Sequence, residues 1–120
     1  MVERREHPRV LQMLKIKYKQ QGEEAYKDCT SRDVSLGGIG LIIPEEFKPG
    51  QLIELEIKLP GTLFTLFIKG KIIWCFVDKK SKGTGEVLYR SGIMFLEMPE
   101  ETKNRLKLYL QLLSAEQENP

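Results

Sequence analysis

The sequence is short of the residues on which most protein chemistry relies. Among 120 residues there is one histidine, His7, and there are two cysteines, Cys29 and Cys75. A lone imidazole, with cysteines far apart and outside any CxxC or Cys/His spacing, argues against the usual metal-ligand sets, so no metal site is expected. The same scarcity leaves no grouping of nucleophile, base and orienting residue, so the chain does not read as an enzyme. No apolar run is long enough to cross a bilayer, and no apolar leader resembles a signal peptide. The expectation is therefore a cytoplasmic protein without membrane insertion, with both thiols reduced. An excess of one charge is also missing. The net charge is only +2, and there is neither a basic stripe nor interleaved surface aromatics, so DNA and RNA are not expected partners.

What is present is an ordinary globular balance, 41% hydrophobic and 30% charged, on a length that suits one domain. Period-two patterning dominates it. In "VLQMLKIKYK", Leu14, Ile16 and Tyr18 alternate with Lys15, Lys17 and Lys19, as on a half-buried strand. "AYKDCTSRDV" and "GIGLII" read as two further strands. "QLIELEIKLP" is the clearest, with Ile53, Leu55, Ile57 and Leu59 on one face and Glu54, Glu56 and Lys58 on the other. "LFTLFIKGKIIWCFV" is a long strand with a bulge or corner expected at Gly70, and "VLYRSGIMFLE" closes the sheet.

After Pro99 the period changes. Leu106, Tyr109, Leu110 and Leu113 follow helical spacing, with Glu100 and Glu101 at the positive end of the dipole. Leu108 and Leu112 widen the apolar surface, which suits either a barrel cap or a contact with a second copy; a monomer or weak homodimer is expected. The fold class is all-β with one C-terminal helix, as a six-stranded antiparallel β-barrel. The expected division is an arginine-bearing flexible leader over residues 1–13, the barrel and helix over 14–114, and a tail over 115–120.

Two stretches do not look structural. "RREHPR" places Arg4, Arg5 and Arg9 where no hydrophobic pattern can bury them, as a solvated tail or as a site for something anionic and flat. "RDVSLGGIG" puts Asp33 and Ser35 two residues apart, on one side of an extended chain, followed by Gly37 and Gly38. A carboxylate accepts hydrogen bonds, a hydroxyl donates or accepts, and glycines keep bulk away. Alone, that stretch fits an Asx-type turn as well as a ligand edge.

Together the two resemble the PilZ family of bacterial cyclic di-GMP receptors. Arg5 to Arg9 reads R-x-x-x-R, and Asp33, Ser35 and Gly38 read D-x-S-x-x-G, in that order. "GQLIELEIKLP", "GKIIW" and "YRSGIMF" are similar to the family's later strands, so the resemblance runs from Arg4 to about Leu113. It implies a PilZ-like split barrel that binds cyclic di-GMP through Arg4, Arg5, Arg9, Asp33, Ser35, Gly37 and Gly38. It also implies a signal-transduction role in which ordering of the leader is passed to a separate, unidentified effector protein. The chemistry agrees. Guanidinium forks suit phosphate, the guanine O6/N7 edge and base stacking, and Asp33 can accept from the guanine N1–H and amine. Family members without these motifs act as protein-interaction modules and bind no nucleotide, which is the alternative reading. The extra cation Arg4, directly before R-x-x-x-R, resembles members that bind an intercalated ligand pair.

Of the remaining candidates, His7 reads as a solvated residue and Lys79 to Lys82 as a solvated loop. Trp74 suits either the barrel core or, as in some family members, a stacking contact with the ligand.

Overall fold

The computed structural model describes residues 10–11, 13–79 and 85–118. Its elements are β1 (Val10–Leu11), β2 (Lys15–Gln20), β3 (Lys27–Val34), β4 (Gly38–Ile43), β5 (Leu52–Lys58), β6 (Thr65–Val77), β7 (Tyr89–Phe95) and α1 (Glu100–Glu118). Six strands close a barrel in the order β3-β2-β5-β6-β7-β4, with β4 returning to β3, and every pairing is antiparallel. The two-residue β1 extends the same edge of β3 that β2 uses, pairing Val10 with Val34 and Leu11 with Asp33. Between β1 and β2, Ser31 holds the chain: its hydroxyl accepts the Leu14 N–H at 2.8 Å, and its own N–H donates to the Leu14 carbonyl at 3.0 Å.

Alternation built the interior as expected. Leu14, Ile16 and Tyr18 from one segment, and Ile53, Leu55, Ile57 and Leu59 from another, are buried, while their charged neighbours point outward. Each such side chain contributes roughly 1.5–3 kcal/mol by leaving water. Leu106, Tyr109 and Leu110 of α1 complete the core, and Leu108 and Leu112 remain exposed. One polar cluster ties the β4–β5 connection to the barrel. Glu45 accepts hydrogen bonds from the Tyr18 hydroxyl at 2.8 Å, the Lys27 ammonium at 3.0 Å and the Gln20 amide at 3.3 Å. Burial first, then the hydrogen bond to Glu45, holds the Tyr18 hydroxyl well above its ordinary pKa.

Three boundaries differ from the sequence expectation. Val10 and Leu11, read as leader, already form β-structure, because β3 outruns β2 and leaves an edge for them. The helix continues to Glu118 rather than stopping at 114, since "SAEQE" offers good helix formers and no breaker. The long strand keeps its register through Gly70, and the irregularity falls between Ile72 and Trp74. The role of Gly70 is steric: a Cβ there would collide with the Ile93 side chain. Both cysteines are free, and burial, with a smaller push from Asp28, raises the Cys29 thiol to about 12.

Candidate ligand-binding site

The D-x-S-x-x-G stretch spans the end of β3 and its tight turn into β4. Strand geometry ends at Val34, so Ser35 does not continue on the outer face beside Asp33. It is only 4% exposed, and its hydroxyl accepts the N–H groups of Gly37 and Gly38, each at 3.2 Å. The same hydroxyl faces the Gly38 carbonyl at 3.3 Å, and the Ser35 N–H donates to that carbonyl at 2.9 Å. Ser35 therefore builds the turn. Gly38 is required by close approach to β7, because a Cβ there would collide with the Ile93 carbonyl. The Gly37 carbonyl accepts the Phe95 N–H at 2.9 Å, fastening the turn to the same strand.

Asp33 lies elsewhere in that geometry. An extra residue in β3 between Ser31 and Asp33 makes a bulge against β4, a device that re-aims side chains. It sets Asp33 opposite Gly40, with the carboxylate over that glycine: a Cβ on Gly40 would come within 2.8 Å of Asp33 Oδ1. Gly40 pairs in turn with Gly92 of β7, and Gly92 with Trp74 of β6. A Cβ on Gly92 would collide with the Trp74 indole. Directly paired residues share a face, so Asp33, Gly40, Gly92 and Trp74 form one row on the outside of the barrel. Its floor is two glycines, and the row spans three strand spacings, about 14 Å.

Trp74 is thus outside the core. The bulge between Ile72 and Trp74 inserts Ile73 as an extra outward residue, which reverses the side that simple alternation would assign to Trp74 and the residues after it. Trp74 is 37% exposed, and its indole stacks on Phe76 at 5.7 Å with 21° between the planes. With Val77, Asp78, Lys79 and Arg90 these rings line an open cleft of about 660 Å³. Gly40, Gly92, Phe76 and Arg90 were not among the sequence candidates. The available signal was a glycine at an outward strand position in "GGIG" and again in "YRSGIMF", where bulk was being avoided.

Arg4, Arg5, Arg9 and His7 lie outside the described residues, as do residues 80–82 of the lysine-rich loop. Among the described residues, no group of three or more His, Cys, Asp or Glu side chains is placed to hold a metal ion, and no helix is long and apolar enough to cross a membrane. What the described site offers is a carboxylate acceptor at one end, stacked rings at the other and bare backbone between. Such an arrangement suits a flat ligand with hydrogen-bonding edges.

Comparison with known proteins identifies the family and the fold. A family model for the PilZ domain matches residues 3–112. The structure is similar to the PilZ domain of YcgR from Escherichia coli, solved with c-di-GMP, at TM-score 0.73 and 19% identity, covering 95% of this chain and 94% of that one. It is similar to the Bacillus subtilis inhibitor of motility MotI/DgrA at TM-score 0.75 and 21% identity, covering 98% of this chain and 53% of that one. The MrkH–c-di-GMP complex of K. pneumonia gives TM-score 0.75 and 17% identity, covering 98% and 55%. This chain therefore spans about half the length of MotI/DgrA and of MrkH. No curated protein matches the sequence.

Proposed function

The chain belongs to the PilZ domain family, and from that premise we propose that it is a cyclic di-GMP receptor whose ligand lies across the Gly40–Gly92 floor. The observation that carries this reading is the Asp33–Gly40–Gly92–Trp74 row. A carboxylate stands where it can accept from a guanine edge, and an indole stands where it can stack on a base. Arg5 and Arg9, with Arg4 before them, supply the charge that two phosphates require, and Asp33 supplies the acceptor for guanine N1–H and its amine. Ser35, Gly37 and Gly38 serve this site chiefly by fixing the turn that follows Asp33. β1, which follows the arginine-bearing stretch in the sequence, pairs with β3 at Asp33 itself. This supports a clamp in which the arginines close over a ligand resting against Asp33, and the altered surface is then read by a separate effector protein.

The test is calorimetric titration of the whole chain with cyclic di-GMP, alongside Asp33→Ala. The proposal expects saturable binding that weakens about ten- to a hundredfold in the variant, the cost of losing one charge-assisted contact. Two ligands per protomer would support the intercalated pair inferred from Arg4, and one would remove it. No binding by the native chain would favour the other reading, a PilZ-type interaction module that takes no nucleotide.

A further inference from the structure

One arginine of the barrel takes no part in the row from Asp33 to Trp74. Arg90 projects from the outer face of β7, two residues from Gly92, with Ile42 of β4 and Phe76 of β6 as its register partners. It borders the cleft walled by Trp74 and Phe76. Its Nε is buried and has no hydrogen-bond partner among the described residues, and among those residues no carboxylate forms an ion pair with its guanidinium. Nine in ten or more buried polar groups are satisfied in folded proteins, and a charged donor left bare is expensive. Arg90 lines the cleft, so an acceptor bound there can engage a guanidinium that the described residues leave without a carboxylate.

The walls say what kind of acceptor. Trp74 and Phe76 stack nearly parallel, which suits a planar ring. A phosphate would satisfy the donor but gains nothing from aromatic walls. Guanine presents two acceptors in the plane of its ring, O6 and N7, spaced for the fork of an arginine. Asp33 cannot serve the same base. It sits on β3, two strand spacings from β7, about 10 Å away. A ligand with two guanines reaches both.

We propose that Arg90 reads the O6/N7 edge of the second guanine of the bound dinucleotide, stacked in the Trp74–Phe76 cleft, while Asp33 reads the first. This rests on the receptor reading above and adds a base-reading residue to it. It also explains selectivity. Adenine places an amine where guanine has O6, so its N–H would face the Arg90 N–H groups and be rejected.

The test is a double-mutant cycle between protein and ligand. Cyclic di-GMP and its 7-deazaguanine analogue, which lacks the N7 acceptor, are titrated into the whole native chain and into Arg90→Met, which keeps the side-chain stem. In the native chain the analogue binds about tenfold more weakly; Arg90→Met loses about ten- to a hundredfold for cyclic di-GMP and no longer distinguishes the two ligands. Since Nε makes no bond among the described residues, the melting temperature of the variant stays at or above the native value. Should Arg90→Met fail to fold, Arg90→Lys, with its charge kept and its fork lost, is expected to show the same loss. Undiminished binding of cyclic di-GMP by the folded variant, or a deaza penalty that persists in it, overturns the assignment and leaves the receptor reading standing. Absence of binding by the native chain overturns both.

Discussion

The Asp33 carboxylate and the Trp74 indole stand at opposite ends of one cross-strand row, each folded over a glycine, Gly40 and Gly92, and those glycines are register partners. Four strands contribute one residue each, so the site is a property of barrel closure rather than of any single segment. The consequences can be measured.

Gly92→Ala places a methyl group where the Trp74 ring now lies, and the ring must swing outward. Trp74 is the only tryptophan, so its emission reports this directly. A red shift in the free protein is expected, together with about ten- to a hundredfold weaker binding of cyclic di-GMP, the scale of one lost base-stacking platform. Unchanged emission would contradict the placement of the indole.

Gly38→Ala and Gly40→Ala should fail in different ways. At Gly38 the added methyl meets the Ile93 backbone carbonyl, which cannot move aside; at Gly40 it meets the tip of the Asp33 side chain at 2.8 Å, which can. Thermal denaturation should show a loss of roughly 1–3 kcal/mol for Gly38→Ala. Gly40→Ala should stay close to native stability and lose ligand affinity instead. Equal stability losses would show that the two glycines do the same job.

The Glu45 cluster predicts a pH dependence of stability. Burial alone would raise the Glu45 carboxyl, but hydrogen bonds from Tyr18, Lys27 and Gln20 hold it below the ordinary range. A carboxyl with a lowered native pKa stabilises the fold fully above the unfolded value, near 4.3, and loses that contribution as pH falls through the native value. Glu45→Gln should cost roughly 1–3 kcal/mol near neutral pH. The gap between native and variant melting temperatures should narrow as pH is lowered from about 7 to 3. A gap independent of pH would mean that the ionised form of Glu45 is not what holds the β4–β5 connection.

Arg5→Ala and Arg9→Ala are each expected to weaken cyclic di-GMP binding by one to two decades while leaving the melting temperature unchanged, because no hydrophobic pattern in the surrounding sequence would bury them. Added salt should weaken binding in the native chain, and less so in each variant, as screening acts on contacts the variant has already lost. Calorimetry at two ionic strengths reads both effects.

Much of the barrel was legible because one face of each strand is buried. Leu14, Ile16 and Tyr18, or Ile53, Leu55 and Ile57, announce their side by alternation alone. The helix was equally plain from Leu106, Tyr109 and Leu110. The site was legible only in part. Asp33 was found through its motif, and Ser35 with it, but whether Ser35 faced a ligand or closed a turn depended on where the strand ended. Trp74 could not be assigned a side because the bulge after Ile72 breaks the period. The pairing of Gly40 with Gly92, and the approach of Arg90 to Phe76, are matters of register between distant segments. An outward arginine on a strand carries no mark in the sequence that its Nε will be buried with no partner among the described residues.

The most direct test of the site is amide and indole chemical-shift mapping during titration of the whole chain with cyclic di-GMP. Perturbations concentrated at Asp33, Gly40, Gly92 and the Trp74 indole N–H are predicted, along a single row crossing four strands. Shifts confined to other faces of the barrel, with these four signals unmoved at saturation, would contradict it.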